Sequence, residues 1–153
     1  MNDSKITFFG ENKMSFEKII PFVLQHEGGA TVTHDPNDPG GTTKYGISQK
    51  AHPDIDIENL TEEQACDIYK KEYWDNIATG QNDNKDMTAF DSAVNCGVGR
   101  VKKWLPYCNT WQDVLVMRQQ HYTNIIAKNS GLAKYATGWE NRIGDLENFI
   151  QEV

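Results

Sequence analysis

The sequence predicts a single, predominantly α-helical α+β domain with one small β-hairpin after the first helix, and three observations carry that expectation. Apolar residues recur at helical spacing over most of the chain, and strand-like patterning is confined to residues 30–48. No Ser/Pro-rich linker, repeat or low-complexity run divides the sequence. With 153 residues, 38% of them apolar, the chain can fill one core but hardly two.

Residues 1–14 are polar apart from ITFF and are expected to form an N-terminal extension without a chemical role, leaving 15–153 as the domain. Ser15 is a plausible N-cap. Behind it Phe16, Ile19, Ile20, Val23 and Leu24 follow the i, i+3, i+4, i+7, i+8 pattern of a helix facing a core, which Pro21 should kink or begin. Thr-Val-Thr, the turn-rich DPNDPGG and TTKYGIS then read as two short strands around an irregular loop. Four helices follow. One runs from a Thr61/Gln64 capping box through Tyr73, one surrounds Met87, Phe90 and Val94, a short one spans Val101 and Leu105, and a long one covers Trp111 to Ile126. A last helix carries Trp139, Ile143, Leu146 and Ile150 on one face, with Thr137 and Glu140 placed as a capping box.

A net charge of -7 argues against nucleic acid or anionic membrane as partners. Cys66, Cys96 and Cys108 are too few and too widely spaced for a disulfide framework or a zinc site, so they read as free packing thiols. The N-terminal segment lacks a signal h-region and a membrane span, which suits synthesis in a reducing cytoplasm and requires a separate route for any work outside it. Asp35, Asn37 and Gly40 begin like a calcium loop, but Pro39 and Gly46 fall on ligand positions, and His26-Glu27 lacks the second histidine of HExxH. GGTTKYG and GVGR do not make a phosphate loop, and no Ser-centred elbow occurs. No metal or cofactor is expected.

Glu27 is the residue that stands out. It continues the apolar face of Phe16, Ile20 and Val23 at the C-terminal end of the first helix, where Gly28 and Gly29 can terminate the helix. Apolar surroundings and the negative end of the helix dipole both disfavour a charged carboxyl, so a raised pKa is expected there. A carboxylic acid held protonated is what a glycosidase needs to protonate the leaving oxygen, with an ionised carboxylate or a water opposite. Asp35 and Asp38 are the candidates for that second group. Each stands in an Asp-Pro step, which serves equally well as a turn initiator.

EGGATVTHDPNDPGGTTKYGIS resembles the EGGY-x-x-x-DPxDPGGxTxYGI signature of glycoside hydrolase family 108, the muramidases of bacteria and phages. AFDSAVNCGVGRVKKWLP is similar to that family's FDxAVNxGxGRAxKxLQ segment, and GWENRIGDL to its closing GWxNRxxxL segment, a region regarded as peptidoglycan-binding. The resemblance implies a lysozyme-like fold, in which the part from about residue 89 is integral. It also implies hydrolysis of the β-1,4 bond between N-acetylmuramic acid and N-acetylglucosamine, with Glu27 as catalytic acid. The chain departs from the signature at Ala30, where the family has an aromatic residue; that contact is either missing or supplied by Tyr45. Phage lysozymes carry a Glu-x8-Asp-x5-Thr pattern. Counting from Glu27 it ends on Thr42, a candidate for positioning water, but its middle position falls on Pro36, between Asp35 and Asp38.

Tyr45, Asn95, Trp139 and Arg142 are candidates for holding the glycan, since aromatic faces stack on sugars while amides and guanidinium groups bind acetamido and carboxylate groups. Two other readings compete: a lytic transglycosylase acting on the same bond without a water nucleophile, and a non-catalytic peptidoglycan-binding or export-accessory protein. As a muramidase the protein would be a monomer acting on peptidoglycan strands in the periplasm or cell wall, released by a holin or a secretion system.

Overall fold

The computed structural model describes residues 3–37 and 41–153, with side chains from Ser15 onward. Helix α1 spans Asp3–His26, so Ser15 lies inside it, buried, and is not its cap. The helix also runs through Pro21. That residue is exposed, so its ring and missing N–H face water and not the core. The expected apolar stripe is real: Phe16, Ile19, Ile20, Val23 and Leu24 are all buried. Phe16 meets Trp74 and Phe90 edge-on, each with ring centroids 5.6 Å apart, and Trp74 meets Phe90 at 5.5 Å. This aromatic trio fastens α1 to the rest of the core.

The hairpin forms inside TTKYGIS. Strand β1 (Thr43–Lys44) pairs antiparallel with β2 (Ile47–Ser48), with Thr43 opposite Ser48 and Lys44 opposite Ile47. The Thr-Val-Thr segment contributes a single bridge, Thr33 to Thr43, so DPNDPGG is not the hairpin turn as the sequence suggested. The turn is Tyr45-Gly46, both with positive φ (53° and 77°), as a two-residue connection with the right twist requires.

Helix α2 (Glu62–Tyr69) starts at Thr61, whose side chain accepts from the Gln64 N–H while the Gln64 side chain accepts from the Thr61 N–H. The helix does not continue regularly to Tyr73. A π-helical turn at Lys70–Trp74 intervenes before the short α3 (Asp75–Ile77). Ala65 and Tyr69 are buried, as are Trp74 and Ile77; a regular α-helix would put Tyr73 next on that face. The wider turn seats Trp74 in the core and leaves Tyr73 half-buried.

Helix α4 (Asp83–Cys96) is the central element, buried without a break from Asp86 to Ala93. It packs against α1, α6 (Trp111–Lys128) and α7 (Ala136–Glu152). Asn82 caps it, and the Asp86 carboxylate accepts from the N–H groups of Thr79 and Gly80. Helix α5 (Val98–Trp104) and a 3₁₀ turn (Leu105–Tyr107) lead to α6, which begins at the expected Trp111 under a Thr110/Asp113 capping box. Helix α7 starts one residue before Thr137, so the expected Thr137/Glu140 box does not form. The 3₁₀ segment Ser130–Tyr135, itself capped by Asn129, runs straight into α7 and leaves no free helix start for Thr137 to cap. Cys66 and Cys96 are half-buried, Cys108 is buried, and all three are free. Among the described residues no helix is long and apolar enough to cross a membrane.

Candidate functional site

Glu27 is the first residue past α1. Its N–H still donates to the Val23 carbonyl at 2.9 Å, and the Gly29 N–H reaches back to Leu24 at 2.8 Å, closing the helix by a Schellman-type turn. Gly29 then accepts from the Tyr45 N–H at 3.0 Å, which brings the hairpin over the helix end. The approach is tight. A Cβ on Gly46 would lie 2.5 Å from the Tyr69 hydroxyl and 2.6 Å from Glu27 Cβ, so only glycine fits between them. Tyr69 in turn donates to the Tyr45 carbonyl at 2.7 Å.

The apolar surroundings expected for the Glu27 carboxyl are not what it meets. Its side chain is 25% exposed, and Oε2 accepts from Arg142 Nη1 at 2.5 Å. Arg142 is engaged on its other side as well. Its Nη2 donates to Asp91 Oδ1 at 2.8 Å, and its Nε lies 3.3 Å from both Asp91 oxygens. Asp91 Oδ2 accepts from Arg118 Nη1 at 2.8 Å. Arg118 is further held by Ser92 Oγ at 3.2 Å and the Tyr122 hydroxyl at 2.8 Å.

Asp91 and Arg118 have no exposed side-chain surface. Burial disfavours the charged form of Asp91, but the two guanidinium groups outweigh it and hold the carboxyl below its usual range. Burial likewise opposes the charge on Arg142, and Asp91 followed by Glu27 more than restores it. The Tyr69 and Tyr73 phenols are pushed up mainly by burial, with the Glu27 charge adding to both. Glu27 therefore sits where α1 ends, α7 delivers a cation, and the hairpin and π turn supply backbone and phenols.

The other candidate residues fall into two groups. Asn95 is half-buried and accepts a short hydrogen bond from the Tyr122 hydroxyl, with the Cys96 thiol at 3.3 Å. Trp139 stacks on the other side of Tyr122, ring centroids 4.6 Å apart and 13° from parallel. Both thus connect to the Asp91 cluster through Tyr122, whose own phenol is pushed up to about 12, chiefly by burial. Tyr45 is half-buried against the core at the hairpin turn.

The second group is Asp35 and Thr42. Asp35 is exposed, and its Oδ1 accepts from the Asn37 N–H at 2.9 Å, the mark of an Asx turn. Thr42 is half-buried, with its hydroxyl 3.1 Å from His34 Nδ1. His34 and Asp35 line an open cleft of about 500 Å³ together with Thr33, Gly41, Ser48 and Lys50; Glu27 is not in its wall. Asp38 lies outside the described residues.

Asp91, Arg118, Tyr69, Tyr73 and Tyr122 were not singled out from sequence. Arg118 had a readable signal: it occupies a core position of α6 in line with Val114, Leu115 and Tyr122, where an apolar residue belongs.

These features define the class: a lysozyme-like α+β domain in which a partly exposed glutamate closes the first helix beneath a β-hairpin. The structure of SagA from Brucella abortus is similar over 92% of this chain and 95% of that one, with a TM-score of 0.70 and 21% identity, a likeness that establishes the fold. No curated protein sequence matches the chain. The model of the glycosyl hydrolase 108 family matches residues 20–97, just over half of the chain, and the protein belongs to that family. Membership supports a lysozyme-like peptidoglycan-hydrolase function.

Proposed function

We propose that the protein is a muramidase that hydrolyses the β-1,4 bond between N-acetylmuramic acid and N-acetylglucosamine in peptidoglycan, with Glu27 as the proton donor. The observation that carries this reading is the position of Glu27 inside the family-matched segment, with its carboxyl open to solvent on one side and held by Arg142 on the other. A sugar bound against it excludes water, and the proton passes to the glycosidic oxygen as the bond to the sugar carbon breaks. A water on the hairpin side completes the hydrolysis. Asp35 is occupied with its own turn, so we assign it to building the loop and give the activation of water to Asp38, with Thr42 orienting that water. Asn95, Tyr45 and Trp139 are proposed to border the glycan. The substrate lies outside the cytoplasm, so the enzyme is expected to reach it through a holin or a secretion system and to act as a monomer.

The test is Glu27→Gln, which keeps the size of the side chain and removes the transferable proton. Hydrolysis of purified peptidoglycan should fall by about 10²- to 10⁴-fold, with melting unchanged. Turnover near the parent rate would sink the assignment. The engagement of Asp35 in a turn also favours a second reading, a lytic transglycosylase, which manages with one carboxyl group. Product analysis separates the two, since a muramidase leaves reducing ends and a transglycosylase leaves anhydro-sugar ends.

A further inference from the structure

We propose that Asp91 and Arg142 are positioning residues for the proton donor, and that they determine which oxygen of Glu27 carries the proton. The inference rests on the assignment of Glu27 as the acid. Arg142 presents its Nη2 and Nε edge to Asp91 and has Nη1 left for Glu27 Oε2. Asp91 cannot turn to release it, because its second oxygen is held by Arg118, and Arg118 is itself fixed by Ser92 and Tyr122. With the guanidinium anchored from behind and Oε2 committed to it, the proton is carried on Oε1.

In the reaction that proton moves from Oε1 to the glycosidic oxygen, and the electron pair of the breaking bond stays with the leaving oxygen. Glu27 is left anionic beside a cation that has not had to move, and the sugar cation is captured by water, which gives up a proton in turn. Arg142 therefore stabilises charge that develops on Glu27 in the transition state, which raises kcat without tightening substrate binding. A direct glycan contact is a poorer account of this arginine, since its side chain is 8% exposed while that of Asp91 is wholly covered. The reading also gives the AFDSAVN and GWENRIGDL segments a shared role, since each sends one charged side chain into a cluster that ends on Glu27.

Arg142→Lys provides the test, assayed on soluble glycan fragments of peptidoglycan. Lysine keeps one positive charge but cannot hold Asp91 by two donors and reach Glu27 with a third. Asp91 retains Arg118, so the fold should survive. We expect kcat to fall by about tenfold or more while KM stays within about threefold, and Arg142→Ala to regain kcat when guanidinium ion is supplied at millimolar concentration. Glu27→Gln should gain nothing from guanidinium. A rise in KM at parent kcat would make Arg142 a substrate contact and overturn the proposal. So would a loss of activity that only tracks the unfolded fraction seen by circular dichroism. If Glu27→Gln itself hydrolyses at the parent rate, the donor assignment has failed first, an outcome visible before any arginine is changed.

Discussion

Glu27 is held by side chains that arrive from far along the chain, whereas Asp35 is held by its own neighbours. The contact from Arg142 to Glu27 spans 115 positions and the one from Arg142 to Asp91 spans 51, while the Asp35 carboxylate bonds to a backbone N–H two positions on. The first arrangement buries two charges completely and satisfies them with each other. The second is exposed and costs little to form or to lose. Substitutions in the Asp91 cluster should therefore report on stability and chemistry together, and substitutions in the loop should report on chemistry with little change in stability.

The largest effect should come from Asp91→Leu. Removing the carboxylate leaves Arg118 buried without its counter-charge, so unfolding in denaturant should show a loss of about 3–5 kcal/mol. If the loss were below about 1 kcal/mol, water would have to reach the cluster and the contrast between the two regions would collapse. Gly46→Ala comes next. Its φ of 77° alone costs about 1–2 kcal/mol for a residue with a Cβ, and the overlap with Tyr69 and Glu27 adds to that. Thermal melting and turnover should both fall, because the hairpin must lift off the acid to make room.

Acid sensitivity gives a third measure of the same difference. Asp91 titrates lower in the folded protein than its unfolded value of about 3.9, so its contribution is fully present above that pH. It is lost as pH falls through the folded value. The melting temperature should drop steeply below about pH 4, with no part of any change between pH 6 and 8 owed to Asp91. The smallest effect is expected at Asp35→Asn. Asparagine can accept the same hydrogen bond from the Asn37 N–H, so stability should change by less than about 0.5 kcal/mol. Turnover should stay within about threefold, and a much larger loss would return Asp35 to the chemistry in place of Asp38.

The same division between local and distant contacts decided what could be read from the sequence. The apolar face of α1, the Thr61/Gln64 cap and the start of α6 were legible because each is written within a few residues. Glu27 was legible as an ionisable group on an apolar stripe. Its partner was not, since nothing in periodicity says that Arg142 and Asp91 meet. The turn was misplaced because DPNDPGG carries stronger turn chemistry than Tyr45-Gly46. That pair becomes the turn only because Gly46 can lie against Tyr69 and Glu27. The cap of α7 was misplaced because a 3₁₀ segment with little sequence signature already feeds the helix.

The π-helical turn at Lys70–Trp74 bears on changes of chain length as well as of side chain. An extra residue within a helix advances everything after it by about 100°. Here that phase step seats Trp74 against Phe16 and Phe90 and leaves Tyr73 toward Glu27. Deleting any one residue from Lys70 to Tyr73 should permit an unbroken α-helix with all its hydrogen bonds, yet the segment would then enter the core out of phase. Loops elsewhere in the molecule can absorb an insertion or deletion by sliding. This helix has a length that is fixed to the single residue, because an error of one is read out as rotation.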